Sequence, residues 1–408
     1  MTDPRDARGQ RYSLELLMHL LWAAMLTAQK TLRQVESFSE RMLARKISDT
    51  RLATFLPELS VEELQERHRR QVLDLHRSKS LEPNLGIPFN LVAIDGKNSW
   101  SGNYKANQFC QKQEASSPDG EPRWLFRTMR GVMASARVHA CIWQMPVPAE
   151  TNEMGAFEAF WEQLLEAYGH TDLIQVASMD AGYTSLHNAT LIHESGRHYV
   201  MALKENQPEL LTEARRLLPL RKDRRHRREV VALPPEAETC DKRDGKLITR
   251  QLWRTSEAAG YLEWTHLEEI WLVRQTTEVL ETGKVSVEDR YFLTSLAHEA
   301  LTGPQVLAVV RAHWHVENDC NWVVDTQWEE DDRCWVATGN GLLVVTLLRL
   351  MAFNVLQLLR NRTLRSDSNR AMAWADVLKM LDDALLLARH GVITDEHLPL
   401  LEVVAERG

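Results

Sequence analysis

Two apolar runs in the sequence lead directly into an aspartate. Leu91-Val92-Ala93-Ile94 stops at Asp95-Gly96, and Leu173 to Met179 ends at Asp180-Ala181-Gly182. Runs of this length and composition predict buried strands. Adjacent strands in one sheet lie about 4.8 Å apart, so two such ends can bring both carboxylates to one place. Two acids held together repel unless a cation neutralises them, and hard divalent ions with oxygen ligands do so. Each aspartate also suits a turn cap, and pattern alone leaves both readings open. A third acid stands in His313-Trp314-His315-Val316-Glu317-Asn318, where Val316, Cys320, Val323 and Val324 fall on one buried helical face. Asn321 and Asp325 follow Glu317 by four and eight positions and share its face. Such a row either completes a metal site beside a sheet edge or forms a polar seam bridged by solvent.

The elements that must position these acids follow from periodicity. Residues 12–78 have helical patterning, as in Val61 to His76, and the breakers Glu82, Pro83, Asn84, Gly86 and Pro88 end a helical N-terminal domain over 1–85. Residues 86–220 alternate strand and helix. Apolar residues at every even position from Val132 to Ile142 predict one strand across that span. Phe157, Phe160, Trp161, Leu164 and Leu165 form a helical stripe, a helix covers Leu186 to Glu194, a strand Tyr199 to Leu203, and Pro208 opens a helix to Leu218. This alternation predicts an α/β sheet with helices packed on it. Residues 221–300 read as a β-rich insertion, with strands in Leu247 to Trp253, Leu267 to Arg274 and Tyr291 to Leu293. Helical periodicity resumes at Val306 and carries the segment 301–408.

Composition narrows the function classes. The 408 residues carry 49 Lys and Arg against 57 Asp and Glu, a net charge of -8, so no global positive field advertises a polyanion partner. Residues 221–228 are the local exception: Arg224, Arg225, Arg227 and Arg228 within that run are either a solvated loop or phosphate contacts. Cys110, Cys141, Cys240, Cys320 and Cys334 form no Cys-x-x-Cys pair, which predicts buried free thiols in a cytoplasmic protein. His313 and His315 beside Cys320 and Cys334 fit no common zinc spacing. Leu14 to Ala28 carries Glu15 and His19 and is followed by no Ala-x-Ala site, and Leu342 to Leu359 is interrupted by Arg349, Asn354 and Gln357. Both predict core helices, with no membrane partner.

Taken in order, Ala93-Ile94-Asp95-Gly96-Lys97, Met179-Asp180-Ala181-Gly182, Tyr199 to Pro208 with Lys204-Glu205-Asn206-Gln207, and His313 to Asn318 with Trp322-Val323-Val324-Asp325 resemble the motifs of the H-repeat-associated insertion-sequence transposases of the DDE class. Asp3-Pro4-Arg5 with Arg11-Tyr12, and Asp244-Gly245-Lys246 with Thr249-Arg250, resemble that family's N-terminal associated domain and its Gly-Arg segment. The resemblance covers nearly the whole chain. It implies an α/β, RNase H-like mixed sheet with flanking helices, interrupted by a β-rich insertion and preceded by an α-helical N-terminal domain. It further implies Asp95, Asp180 and Glu317 as catalytic and metal-binding acids for two Mg²⁺ ions, with Mn²⁺ as a substitute, and Asn321 and Asp325 as their supports. Double-stranded DNA, as element ends and as target, is the implied partner of a homodimer or larger assembly in the bacterial nucleoid. Lys97, Lys204, Asn206, Gln207, His313, Trp314 and Asn318 are the implied DNA contacts beside the arginine run, with Trp314 and Trp322 able either to stack on a base or to pack in the core. The sequence departs from the broader superfamily, whose pattern around the third acid would place Tyr at 310, Arg at 313 and Lys at 324; Val310, His313 and Val324 stand there. Tyr183 replaces a frequent Met-His. A domesticated DNA-binding or host-factor descendant and a nuclease of the same fold are the competing readings.

Overall fold

The run beginning at Leu91 becomes the first strand of a ten-stranded mixed sheet in a computed structural model, which describes residues 1–6, 10–84, 86–114, 121–222, 230–260, 263–364 and 366–389. Four helices precede the sheet: α1 (Leu14–Leu26), α2 (Leu32–Leu43), α3 (Asp49–Phe55) and α4 (Val61–Arg77). Ser13, Thr31 and Ser60 cap α1, α2 and α4 by accepting backbone N–H groups that would otherwise have no partner. The strands that follow are β1 (Leu91–Gly102), β2 (Gln111–Gln113), β3 (Arg123–Met133), β4 (Cys141–Pro146), β5 (Val176–Met179) and β6 (His198–Leu203). β3 runs antiparallel to β1 and to β4, while β1, β5 and β6 are mutually parallel neighbours. Crossovers between parallel strands need a covering element, supplied by α5 (Glu153–Tyr168) and α6 (Leu186–Glu194); α7 (Pro208–Leu217) follows β6.

Both faces of β1 are buried, which explains its unbroken apolar start. Val92 and Ile94 pack with Phe157, Phe160, Trp161 and Leu164 of α5. Leu91 and Ala93 face a second core shared with the N-terminal and C-terminal helices. The alternation from Val132 to Ile142 is not one strand: β3 ends at Met133, the chain reverses, and β4 starts at Cys141. Ala134, Ser135, Ala136, Val138, His139 and Ala140 are buried within that reversal, so burial of a tight connection, rather than strand pleating, selected small apolar residues there.

A short hairpin of β7 (Leu220–Lys222) and β8 (Val230–Ala232) precedes β9 (Ala237–Arg243), β10 (Lys246–Thr255), β11 (Glu269–Val279) and β12 (Lys284–Thr294). These last four form an antiparallel ladder, and β12 pairs with β6 through Tyr291 opposite Leu203, so the insertion extends the same sheet. Asp244 and Gly245 take φ of 50° and 71° between paired Arg243 and Lys246. Two consecutive positive φ values define a tight hairpin turn that demands such residues. β11 runs past its apolar start into half-buried, mostly polar sequence and β12 begins in an exposed stretch before its buried end, so the apolar pattern marks only part of each.

The remaining helices are α8 (Gly303–Ala312), α9 (Trp322–Trp328), α10 (Gly341–Leu358), α11 (Asp367–Arg370) and α12 (Trp374–Arg389). α10 is long and apolar enough to cross a bilayer, yet most of it is buried within the fold. Asn354 within it is satisfied internally: its Oδ1 accepts from Cys141 N at 2.8 Å and its Nδ2 donates to Cys141 O at 2.9 Å. The N-terminal helices close over it, with Gln71 Nε2 donating to Met351 O at 3.0 Å. All five cysteines are free, and Cys240, on the edge strand β9, is exposed rather than buried as expected.

Candidate active site

Ile94 pairs with Met179 in the last register position between β1 and β5, so Asp95 and Asp180 emerge side by side at the carboxyl end of this parallel pair. The strand does not stop at Asp95. β1 continues to Gly102, paired with β3 beyond the end of β5, which leaves the far side of Asp95 open. Asp180 caps a short 3₁₀ turn, Ala181–Tyr183, with Oδ1 accepting from Gly182 N at 2.8 Å. Glu317 arrives from a π-helical turn, Val316–Asn321, that joins α8 to α9 in place of one continuous α-helix. His313, just before this turn, hydrogen-bonds Ser178 Oγ at 3.1 Å through Nδ1 and ties the segment to β5.

The three acids act on one another electrostatically. Burial first, then Glu317, then Asp180 and Glu153 push the Asp95 carboxyl up from its ordinary value to about 7, against a hydrogen bond from the Gly96 backbone. Burial and Asp180 also raise Glu317, opposed by Arg290 and Lys204. Without metal, a folded chain with Asp95 protonated retains a proton that the unfolded chain releases between pH 4 and 7, so this group's contribution to stability falls as pH rises through that window. Asp95→Asn is therefore expected to melt above the parent in chelator at pH 8, by on the order of 2 to 4 kcal/mol. Calorimetry should show the difference closing near pH 4.

Behind the acids lies a buried polar network. Asn321 Nδ2 donates to Asp95 Oδ2 at 3.4 Å, and Asn321 Oδ1 accepts from Arg130 Nη1 at 3.1 Å. Arg130, opposite Asp95 in the β1–β3 register, is wholly enclosed and forms an ion pair with equally enclosed Glu330, while its Nε donates to Gln144 Oε1 at 3.0 Å. Asp325 pairs with Lys97 Nζ at 2.5 Å. Asn321 and Asp325 therefore stand behind the acids, one on Asp95 and one on its strand neighbour. The Lys97 side chain is 5% exposed and is spent on Asp325 rather than presented to a phosphate.

Other residues expected at the DNA are also committed elsewhere. Asn206 Nδ2 donates to Ala181 O at 2.7 Å and Gln207 Nε2 to Thr184 O at 3.0 Å, so both amides fasten the loop carrying Asp180. His313 is half-buried against Ser178, and burial lowers its pKa to about 4. Lys204 is exposed and acts on Glu317. Trp314, Asn318 and 55%-exposed Trp322 line a cleft of ≈ 1340 Å³ between the insertion and the C-terminal helices. Arg224, Arg225, Arg227 and Arg228 lie outside the described residues.

The cleft brings in cations that sequence reasoning does not single out. Arg243, Arg250, Arg290, Arg311, Arg360 and Arg370 line it. Arg250 and Arg311 share Asp241, at 2.8 and 3.3 Å, an excess of positive charge over counter-charge. Arg290 of β12 stacks over Trp314, 4.9 Å from its ring centroid, donates from Nε and Nη2 to Glu288, and acts on Glu317. Their signal in the sequence is weak, because single arginines on polar strands resemble any solvated face. Glu153, at the start of α5, is a further acid that the pattern does not reveal.

The sheet, the acids at the end of its parallel pair and the flanking cationic cleft are those of a nucleic-acid-processing class. Residues 93–355, more than half the chain, match the family described as Transposase DDE domain, and the protein belongs to this DDE transposase family. Among individual relatives, the H repeat-associated putative transposase YhhI of Escherichia coli K12 is 30% identical over 96 residues, covering 23% of this chain and 24% of that protein. YbfL of the same strain is 27% identical over 182 residues, 41% of this chain and 43% of YbfL, and a protein of the dhlA 3′ region of Xanthobacter autotrophicus is 31% identical over 112 residues, 26% and 34%. The matched segments span less than half of each relative. A solved structure of the piggyBac transposase synaptic complex with hairpin DNA aligns with all of this chain and 79% of its own, at 11% identity and a TM-score of 0.47.

Proposed function

We propose that this transposase cuts and joins double-stranded DNA at insertion-sequence ends, with Asp95, Asp180 and Glu317 holding two Mg²⁺ ions. The observation that carries this reading is the electrostatic action of the three acids on one another beside a cleft lined with arginines, two of which, Arg250 and Arg311, share the single carboxylate of Asp241. The donor set fits a hard divalent cation: it is all carboxylate oxygen, and burial, followed by repulsion between the acids, raises Asp95 and Glu317. Bound there, the two ions would supply the Lewis-acid charge for in-line attack on a phosphodiester by water or a DNA 3′-hydroxyl. The chain's own residues orient that charge. Asn321 and Gly96 N hold Asp95, Gly182 N holds Asp180, and the His313–Ser178 bond sets the distance of the π turn from β5. Lys204 and Arg290 would receive phosphate oxygens beside Glu317.

The strand order β4-β3-β1-β5-β6, with helices on both faces, supports an RNase H-like core divided as 86–220 and 301–408 around the 221–300 insertion, after a helical unit over 1–85. We assign the active form to a homodimer or larger assembly on DNA in the bacterial cytoplasm. Arg250→Ala and Arg311→Ala are expected to weaken duplex binding and to reduce the slope of log affinity against log salt by about 0.9 for each phosphate that is no longer neutralised, measured by fluorescence anisotropy across a salt series. The function itself is tested by Mg²⁺-dependent cleavage and joining of a labelled duplex carrying the inverted repeats that flank the gene. Joined product is the expected result. Binding without cleavage would move the assignment to a domesticated DNA-binding protein, and hydrolysis without joining to a nuclease.

A further inference from the structure

Glu153 is the first residue of α5, following the N-cap Asn152, yet its carboxylate does not turn out to solvent. It lies directly over the backbone of Gly96, next to Asp95. A Cβ built on Gly96 would fall 2.3 Å from Glu153 Cδ and 2.4 and 2.7 Å from its two oxygens. Glycine at 96 leaves room for this carboxylate, the flexible end of the Glu153 side chain, over a strand that is otherwise regular and paired with Met129. Among the described residues, Glu153 has no hydrogen bond or ion pair to hold it in place. Its charged neighbours are Arg127, which favours its ionised form, and Asp180, which opposes it. Arg127 Nε itself is given to Asn98 Oδ1 at 3.1 Å.

A second observation comes from beneath the acids. Tyr183 is 2% exposed, and its hydroxyl has no hydrogen-bond partner among the described residues. The charged groups acting on that hydroxyl are Glu153, Asp95 and Asp180. A buried hydroxyl without a partner costs roughly 1 to 3 kcal/mol, which a ligand with oxygen chemistry would recover. An unpaired carboxylate over Gly96 and two others act together on that buried hydroxyl, an acidic neighbourhood that favours positive charge.

We propose that Glu153 is a fourth carboxylate of the metal centre, ligating a divalent cation together with Asp95 and Asp180, with the Tyr183 hydroxyl closing the inner wall. This rests on the metal-dependent reading of Asp95, Asp180 and Glu317. It assigns α5 a share in the chemistry, since the N-terminus of that helix places the fourth oxygen donor opposite the π turn that carries Glu317.

The test is a titration of the full chain with Mn²⁺, with free ion read by electron paramagnetic resonance, for the parent, Glu153→Gln, Glu153→Ala and Asp180→Asn. Glu153→Gln keeps size and shape, and thermal melting in chelator checks that each variant is folded. At least a tenfold loss of Mn²⁺ affinity at one of two sites is expected in Glu153→Gln and Glu153→Ala, with a matching rise in the Mg²⁺ needed for half-maximal cleavage. Gly96→Ala, which drives a methyl group into the carboxylate, should weaken Mn²⁺ similarly in the parent and add little in Glu153→Ala. Unchanged Mn²⁺ binding in Glu153→Gln alongside a loss in Asp180→Asn would overturn the role of Glu153 alone. Unchanged binding in both would overturn the metal reading of the three acids as well.

Discussion

Asp180→Asn, Asp95→Asn and Glu317→Gln are each expected to lower Mg²⁺-dependent cleavage of an element-end duplex by at least about 10³-fold while leaving duplex binding largely intact. The separation of the two effects follows from the geometry. The acids lie at the carboxyl end of β1 and β5 and in the π turn, whereas most of the arginines that would hold phosphates come from β9, β10, β12, α8 and the segments around α11. Removing one negative charge relieves repulsion among the acids, so the variants should bind DNA at least as well as the parent at low salt. Losses should also be non-additive, a double variant being no worse than the weaker single one, because acids that share ions act as a unit. Cleavage by denaturing gel and binding by anisotropy on the same preparations measure both quantities. Cleavage surviving in all three variants would remove these residues from the chemistry.

Arg130→Ala is expected to destabilise the folded protein by about 3 to 5 kcal/mol, through the mechanism of an orphaned buried charge. Arg130 and Glu330 are both fully enclosed, and Gln144 and Asn321 also rely on the guanidinium. Its removal takes the ion-pair partner from the Glu330 carboxylate where water does not reach, leaving it to the charges of Lys97 and Arg349. The paired change Arg130→Met with Glu330→Leu removes that pair but leaves the enclosed Arg349 without Glu330, so it should recover only part of that stability in urea unfolding. Its cleavage should stay below the parent's, since Asn321 is then without the guanidinium that orients it toward Asp95.

Asp95 and Asp180 are legible because a buried strand writes an unbroken apolar run and an acid at its end interrupts it. Glu317, Asn321 and Asp325 are legible from spacing, although the π turn that sets their direction leaves no mark in a pattern of fours. The turn between β3 and β4 reads as strand because a buried reversal uses the same small apolar residues. Lys97, Asn206, Gln207 and His313 have suitable chemistry for DNA, but a side chain's partner is fixed by tertiary neighbours, and theirs are Asp325, Ala181, Thr184 and Ser178. Glu153 has no local signal at all. An acid in the first turn of a helix is ordinary dipole compensation, and only the absence of a side chain at Gly96, far away in sequence, shows where it points.

The unbroken pairing of β12 with β6 makes the acid-bearing strands and the arginine-bearing strands a single plate. From β5 the sheet steps across β6 to β12 and on to β10 and β9, and neighbouring strands lie about 4.8 Å apart, so the offset between the acids and the arginines is fixed by hydrogen-bonded strand spacings rather than by a flexible connection.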